Sequence, residues 1–146
     1  MTRQISQVCA AGAVMLAGVV YAQSPAPVPA AVPASVEAIR AFADSLEACK
    51  AGKVATAHPL MKSFVIEHTV TGEKGSVCAY SQTMPGKMTM ECGFSAANRK
   101  AMASELRASA DGGPMRGGTS SAQPEWAKEC EIVTASGARS PMVRVK

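Results

Sequence analysis

The sequence predicts an α+β fold in which two helices cover one face of a small three-stranded antiparallel sheet, and in which disulfides cross-link the chain. Three observations carry this prediction. Apolar residues recur at helical spacing over 36–49, apolar and polar residues alternate as in strands over 62–94, and an alanine-rich segment over 96–109 indicates a second helix. The sequence also contains five cysteines, four of which follow the amino-terminal segment: Cys49, Cys78, Cys92 and Cys130.

The first 22 residues have the layout of a secretory signal peptide. Arg3 supplies positive charge, residues 8–20 form an uncharged and mostly apolar run, and Ala22 ends the tripeptide V-Y-A, which suits a signal peptidase. The apolar run is shorter than the roughly 20 residues that a membrane-spanning helix needs. Cys9 lies at the beginning of the run, whereas a lipoprotein needs a cysteine just after it. We therefore expect cleavage after Ala22, a periplasmic or secreted location and no membrane span in the mature chain.

The rest of the chain divides into a spacer and one domain. Residues 23–34 contain four prolines and no charge, which predicts an extended spacer. Residues 35–146 are enough for a single domain, within which the glycine- and serine-rich segment 111–124 predicts a flexible loop. The formal net charge is only +4 and the basic residues form no stripe, so the composition does not indicate nucleic-acid binding.

Each element has a local signal. Ser35 and Ser95 are suitable N-caps for the two helices, and the pair His58-Pro59 prevents the first helix from resuming. Turn residues separate three central strands, and the C-terminal segment has the pattern of two short edge strands that could extend the sheet. The predicted strands are 62–70, 76–83, 87–94, 132–134 and 142–146. The helices should cover one face of the sheet, which leaves the face with Glu67 and Glu91 in water or in contact with a ligand.

The four later cysteines predict two disulfides, because an even number in a short exported chain is typical of a disulfide framework. No C-x-x-C pair of the kind that zinc sites use is present. An odd loop over 84–86 would place Cys78 opposite Cys92, whereas a two- or four-residue loop would turn Cys78 to the other face. The proline and glycine of the turn favour an even loop, whereas the shared face of the apolar strand residues favours the odd loop, which we prefer. The preferred pairing is therefore Cys78 with Cys92 and Cys49 with Cys130, and the two other pairings stay open.

The run M-P-G-K-M-T-M holds three methionines, Met84, Met88 and Met90. Thioether sulfur is a soft ligand that suits Cu(I), and Met61, His58 and His68 could complete such a site. The same spacing is also that of the inward face of a strand, where methionine fills gaps in a core. Both interpretations stay open at this stage.

The sequence contains no G-x-S-x-G elbow, no glycine-rich phosphate loop and no C-x-x-C redox pair. His58 and His68 are the only histidines, and they lack the spacing of a catalytic or metal-binding array, which indicates structural or surface roles. We therefore expect a protein without enzymatic activity or cofactor, which binds an envelope protein or a small ligand. Periplasmic copper binding through methionine is the alternative.

Several motifs occur together over about residues 42–106. They are Cys49 at the end of a helix, His58-Pro59-Leu60, the G-x-x-C strand over Gly75–Cys78, and M-P-G-x-M-x-M-x-C over Met84–Cys92. This arrangement resembles uncharacterised small exported bacterial proteins with four cysteines. The resemblance implies export and four paired cysteines, and it supplies no catalytic residue.

Overall fold

The computed structural model describes residues 32–61, 63–113 and 123–143. The predicted signal peptide, its cleavage site and most of the predicted spacer and flexible loop lie outside these residues. In the described part, helices α1 (Val36–Glu47) and α2 (Ala96–Ala110) accompany a six-stranded antiparallel sheet. The strands are β1 (Gly52–Ala57), β2 (Val65–Lys74), β3 (Val77–Met84), β4 (Met88–Phe94), β5 (Cys130–Val133) and β6 (Arg139–Pro141).

The strands lie in the sheet in the same order as in the chain. The prediction of an α+β fold with disulfides is confirmed, but the sheet has six strands rather than three. Of the additional strands, β5 overlaps the predicted strand 132–134, whereas β6 lies just before the predicted strand 142–146, of which residues 144–146 lie outside the described part. The third, β1, was not predicted, because G-K-V-A-T-A is rich in small residues and acquires its strand geometry by pairing with β2 from Gly52↔Val70 to Ala57↔Val65.

Both helices begin at the predicted caps. The Ser35 hydroxyl accepts a hydrogen bond from the Ala38 N–H at 3.3 Å, and the Ser95 hydroxyl accepts one from the Asn98 N–H at 3.4 Å. The guanidinium of Arg107 on α2 then joins the helices by reaching two carboxylates on α1. No helix among the described residues is long and apolar enough to cross a membrane.

The core lies between the helices and the inward face of the sheet. Alternate residues of β3 and β4 point into it, as the alternation in sequence predicts. The helices contribute Phe42, Leu46, Met102 and Leu106, all at most 4% exposed. Trp126, in the short 3₁₀ turn Glu125–Glu129, closes the core near the C-terminal strands.

The hairpin between β3 and β4 has an odd loop, as preferred, but its position differs from the prediction. Met84 pairs with Met88, so the connecting residues are 85–87 rather than 84–86. This displacement by one residue moves the register by two, and Cys78 lies opposite Phe94 instead of Cys92. The two cysteines share a face without facing each other.

The preferred disulfide pairing is therefore wrong. The disulfides are Cys49–Cys78 and Cys92–Cys130. Cys49 follows the C-terminus of α1, which brings it against β3 and within reach of Cys78. Cys130 begins β5 and pairs directly opposite Cys92 in the ladder, because β5 adds to β4 rather than packing near α1.

Lys87 occupies a backbone conformation that favours glycine. Its φ angle is 59°, and it follows Gly86 at 76°. We expect Lys87→Gly to raise the free energy of unfolding by about 0.5 kcal/mol, because relief of the left-handed strain exceeds the entropy that glycine adds to the unfolded chain. Urea unfolding measures the change. Lys74→Gly at the end of β2, where φ is negative, is the control and should lower stability; equal losses in both variants would contradict the prediction.

Candidate functional site

The face of the sheet opposite the helices, here called the open face, carries the candidate site. Side chains on a strand alternate between faces, so the residues between the buried positions of each strand point to this side. From β3 and β4 these include Val77, Ala79, Glu91 and Gly93, which are all partly exposed. The open face is therefore accessible over the central strands.

A trough of about 630 Å³ crosses the open face. Its floor is formed where Ala79 and Gly93 lie directly opposite each other on β3 and β4. Because both residues are small, the backbone is exposed there, and a Cβ atom on Gly93 would lie only 3.2 Å from Val77 Cγ2. The residues that line the trough include Thr71, Lys74, Val77, Ser81, Glu91, Lys128, Glu129, Glu131, Arg139 and Pro141.

The C-terminal side of the trough is an ion-pair network across three strands. Arg139 on β6 donates from Nη2 to Glu91 Oε2 at 2.8 Å and from Nη1 to Glu131 Oε2 at 3.1 Å. The hydrogen bond to Glu91, followed by that to Glu131, raises the pKa of the Arg139 guanidinium above its ordinary value. All three side chains are about half exposed, so the network orients polar groups along the trough more than it stabilises the fold.

A β-bulge shapes the opposite side of the trough. The β2–β3 register shifts between Val70 and Gly72, so Thr71 is an extra residue in β2. The strand then continues to Lys74, through the segment that the sequence predicts as a turn. Thr71 and Lys74 both line the trough as a result. The site therefore presents an ammonium group on one side and a guanidinium between two carboxylates on the other.

The fold brings two of the three methionines of the copper hypothesis close to each other. Met84 and Met88 are directly opposite each other at the end of the hairpin and both are partly buried. Met90 is 1% exposed and belongs to the core. Among the described residues, no three side chains of the types Cys, His, Asp and Glu are grouped to hold a metal ion.

The ring of His58 is engaged with the backbone of its own loop. Its Nδ1 accepts hydrogen bonds from the Leu60 N–H at 3.1 Å and the Met61 N–H at 3.0 Å. The ring proton must then lie on Nε2 in the neutral form. A metal ion at Nε2 would force this proton onto Nδ1, where it would face two donors, so the observed loop geometry does not suit His58 as a ligand.

A polar cluster in the core was not predicted. His68 is 0% exposed, and its ring hydrogen-bonds Thr56 Oγ1 through Nε2 at 2.9 Å and the Tyr80 hydroxyl through Nδ1 at 2.7 Å. The Tyr80 hydroxyl donates in turn to Gln82 Oε1 at 2.8 Å. The sequence contained the signal, because His68 alternates in phase with Ile66 and with the buried side of β2.

Burial governs the ionisation of this cluster. Desolvation lowers the pKa of His68 to about 4 and raises that of Tyr80 above its ordinary range. Hydroxyl, imidazole and phenol follow one another in the order of a nucleophile, a base and an orienting group. Thr56 and His68 are however only 9% and 0% exposed, so these two groups are closed to a substrate and contribute to the core instead.

No family model, curated protein or solved structure matches this chain. The resemblance to small exported proteins with four cysteines therefore stays a prediction, and a functional proposal depends on the geometry described above.

Proposed function

We propose that this chain is a non-catalytic binding module of the bacterial cell envelope, and that its ligand lies in the trough on the open face. One observation carries the proposal: in the described part of the chain the helices cover one side of the sheet, and the other side combines a floor of small residues with polar groups along its margins. The two disulfides support a periplasmic or secreted location, because such bonds persist in oxidising compartments.

The trough suits a small or extended ligand with a flat apolar part. Ala79 and Gly93 would allow such a group to approach the backbone closely, and Arg139 with its two carboxylates would offer donors and acceptors at the margin. The Cys92–Cys130 disulfide links β4 to β5 on the opposite side of the sheet from the trough. The strands beneath the ligand would therefore be held in place before binding, which reduces the entropy lost on association.

The first prediction tests the trough by filling it. We expect Ala79→Trp to weaken ligand binding by at least about tenfold, which corresponds to roughly 1.4 kcal/mol, because the indole would occupy the floor without entering the core. Binders would be sought in a panel of dipeptides and small sugars by chemical-shift changes of the ¹⁵N-labelled protein, and their affinities measured by calorimetry.

The matched control is Ala57→Trp, which places the same side chain on the open face at β1, outside the trough. This variant should bind like the wild type. Binders whose shift changes map to the helices, or equal affinity of Ala79→Trp and wild type, would contradict the proposal. Turnover of any panel member would contradict its non-catalytic part.

Copper binding remains a second candidate because Met84 and Met88 face each other at an accessible end of the sheet. The hypothesis predicts Cu(I) binding at micromolar affinity or tighter, with a loss of at least about tenfold in Met88→Leu, since leucine fills the same space without a sulfur ligand. Met142→Leu, directly after β6 and away from the hairpin, is the control. Titration of the disulfide-bonded protein with Cu(I) measures the affinity. If Met88→Leu bound Cu(I) as tightly as the wild type, the copper hypothesis would be wrong.

A further inference from the structure

His68 connects elements that meet at one side of the molecule. It lies on β2, it hydrogen-bonds Thr56 on β1 and Tyr80 on β3, and the ring of Phe42 on α1 lies 6.1 Å from its own, centroid to centroid. β1 is one of the two edge strands and pairs with the rest of the sheet through β2. The imidazole is therefore placed between the edge of the sheet and the helix that covers it.

The hydrogen bonds assign every proton of the cluster. The Tyr80 hydroxyl donates to Gln82, so its oxygen accepts from His68 Nδ1–H. Nε2 then has a free lone pair and accepts from the Thr56 hydroxyl. The chain of donors runs in one direction from Thr56 to Gln82 and requires a neutral imidazole that carries its proton on Nδ1.

We propose that His68 is an acid-sensitive latch that holds β1 and α1 against the rest of the sheet. A second proton on the ring would lie on Nε2 and face the Thr56 hydroxyl, which would have to turn its own proton away into the core. The new positive charge would also be buried. In the observed arrangement Nε2 accepts a hydrogen bond from the Thr56 hydroxyl, so protonation would reverse that bond, leave the hydroxyl proton without its acceptor and add an uncompensated charge at the contact between β1 and β2.

Among the residues that the structure describes, no charged group faces the imidazole from the elements around it. α1 presents Phe42, β1 presents Thr56, and β3 presents Tyr80 with Gln82 behind it. The charged neighbours Lys53 and Glu67 alternate onto the open face. The carboxylates of α1 that point toward α2, Asp44 and Glu47, bind the guanidinium of Arg107.

The direction of the pH effect follows from burial. Desolvation lowers the pKa of His68 from 6.5 to about 4 in the folded protein, whereas an opened form regains the ordinary value. The opened form therefore takes up a proton first, and the closed form loses stability as the pH falls from about 6.5 to about 4. Since each pKa unit is a factor of ten, the opened population should rise by roughly two orders of magnitude across this range.

The opening should be local. The Cys49–Cys78 disulfide fixes the end of α1 to β3, so β1 and the preceding turns of α1 can separate while this anchor and the β3–β4 pair stay in place. Hydrogen exchange corrected for the intrinsic rate measures this. Between pH 7 and pH 4.5, we expect the protection of the β1 amides to fall by about 100-fold, and at least tenfold more than that of the β4 amides.

Two variants separate the latch from general acid sensitivity. His68→Gln keeps a hydrogen-bonding side chain without titrating, and the pH dependence of β1 protection should disappear in it. His58→Gln removes the other histidine and should behave like the wild type. Equal loss of protection in β1 and β4, or an unchanged pH dependence in His68→Gln, would overturn the proposal.

A direct titration of the wild type keeps the test independent of how the variants fold. The ¹⁵N shifts of the His68 ring should report a neutral imidazole protonated at Nδ1 at pH 7 and a pKa well below 6.5, the ordinary value for histidine. A His68 ring that titrates above pH 6, or that carries its proton on Nε2, would also overturn the proposal.

Discussion

Replacement of Cys49 and Cys78 by alanine is expected to lower the free energy of unfolding by about 3–4 kcal/mol. The bond joins residues 29 positions apart, and closing a loop of that length restricts the unfolded chain by about this amount in the chain-entropy account. Both cysteines are buried, at 7% and 0% exposure, so the variant also loses contacts in the core. In addition, alanine at position 49 keeps the left-handed φ of 52° without the bond that holds it there.

Urea unfolding of the double variant measures this loss. The matched control is the wild type in the presence of a reductant. Its free energy of unfolding should fall at least as far as that of the variant, because both of its disulfides open. The same reductant should lower the stability of the variant only by opening Cys92–Cys130. A variant as stable as the oxidised wild type would contradict the assigned role. Tryptic mapping without reduction checks the pairing itself, because cleavage after Lys50, Lys74, Lys87 and Arg99 places each of the four cysteines on a separate peptide.

The pairing was predicted wrongly because it depends on contacts between distant parts of the chain. Local patterns place Cys49 at the end of a helix and Cys92 on an inward strand face, and both placements are confirmed. They do not specify that β5 returns to the side of β4, which puts Cys130 opposite Cys92. The helix caps at Ser35 and Ser95, by contrast, are local hydrogen bonds, and the sequence predicts them directly.

The conformation of one turn residue, Lys87, sets the register of the hairpin between β3 and β4. Proline and glycine at 85–86 indicated a turn that begins at Met84, but Lys87 adopts the left-handed conformation, and the loop closes one residue later. A lysine in that conformation has no signature in the sequence. Because the displacement leaves the loop odd, the inward face of both strands was predicted correctly, although the opposite partners were not.

The candidate site was predictable only in part. Alternation indicated that Glu91 lies on the wet face of the sheet, and it does. Arg139 could not be assigned to the same site, because its contact with Glu91 requires β5 and β6 to continue the sheet past β4. The trough likewise depends on Ala79 facing Gly93, which is a matter of register.

Phe94→Ala is expected to lower the free energy of unfolding by about 3–5 kcal/mol, the usual range for removal of a buried aromatic side chain. Phe94 is 0% exposed, and its ring lies 5.2 Å from that of Tyr80 and 6.3 Å from that of Trp126, centroid to centroid. The chain has only three phenylalanines, two tyrosines and one tryptophan, so few large side chains are near enough to fill the cavity.

Phe64→Ala is the matched control for this cavity. Phe64 precedes β2, is partly exposed and contacts the ring of His58 edge-on. Phe64→Ala should therefore lower the free energy of unfolding by less than about half as much as Phe94→Ala does. Urea unfolding of the two variants, with both disulfides intact, compares them. A loss in Phe94→Ala no larger than that in Phe64→Ala would show that the cluster around Tyr80 and Trp126 is not the centre of the core.

The slope of the urea transition separates the action of the core from that of the disulfides. Removal of Cys49–Cys78 lets the unfolded chain expand, so the dependence of the free energy on urea should become steeper. Phe94→Ala changes the folded state and should leave that slope almost unchanged while lowering the midpoint. If both variants lost stability at the wild-type slope, the disulfide would act through contacts in the folded core, and the chain-entropy account would not apply to this protein.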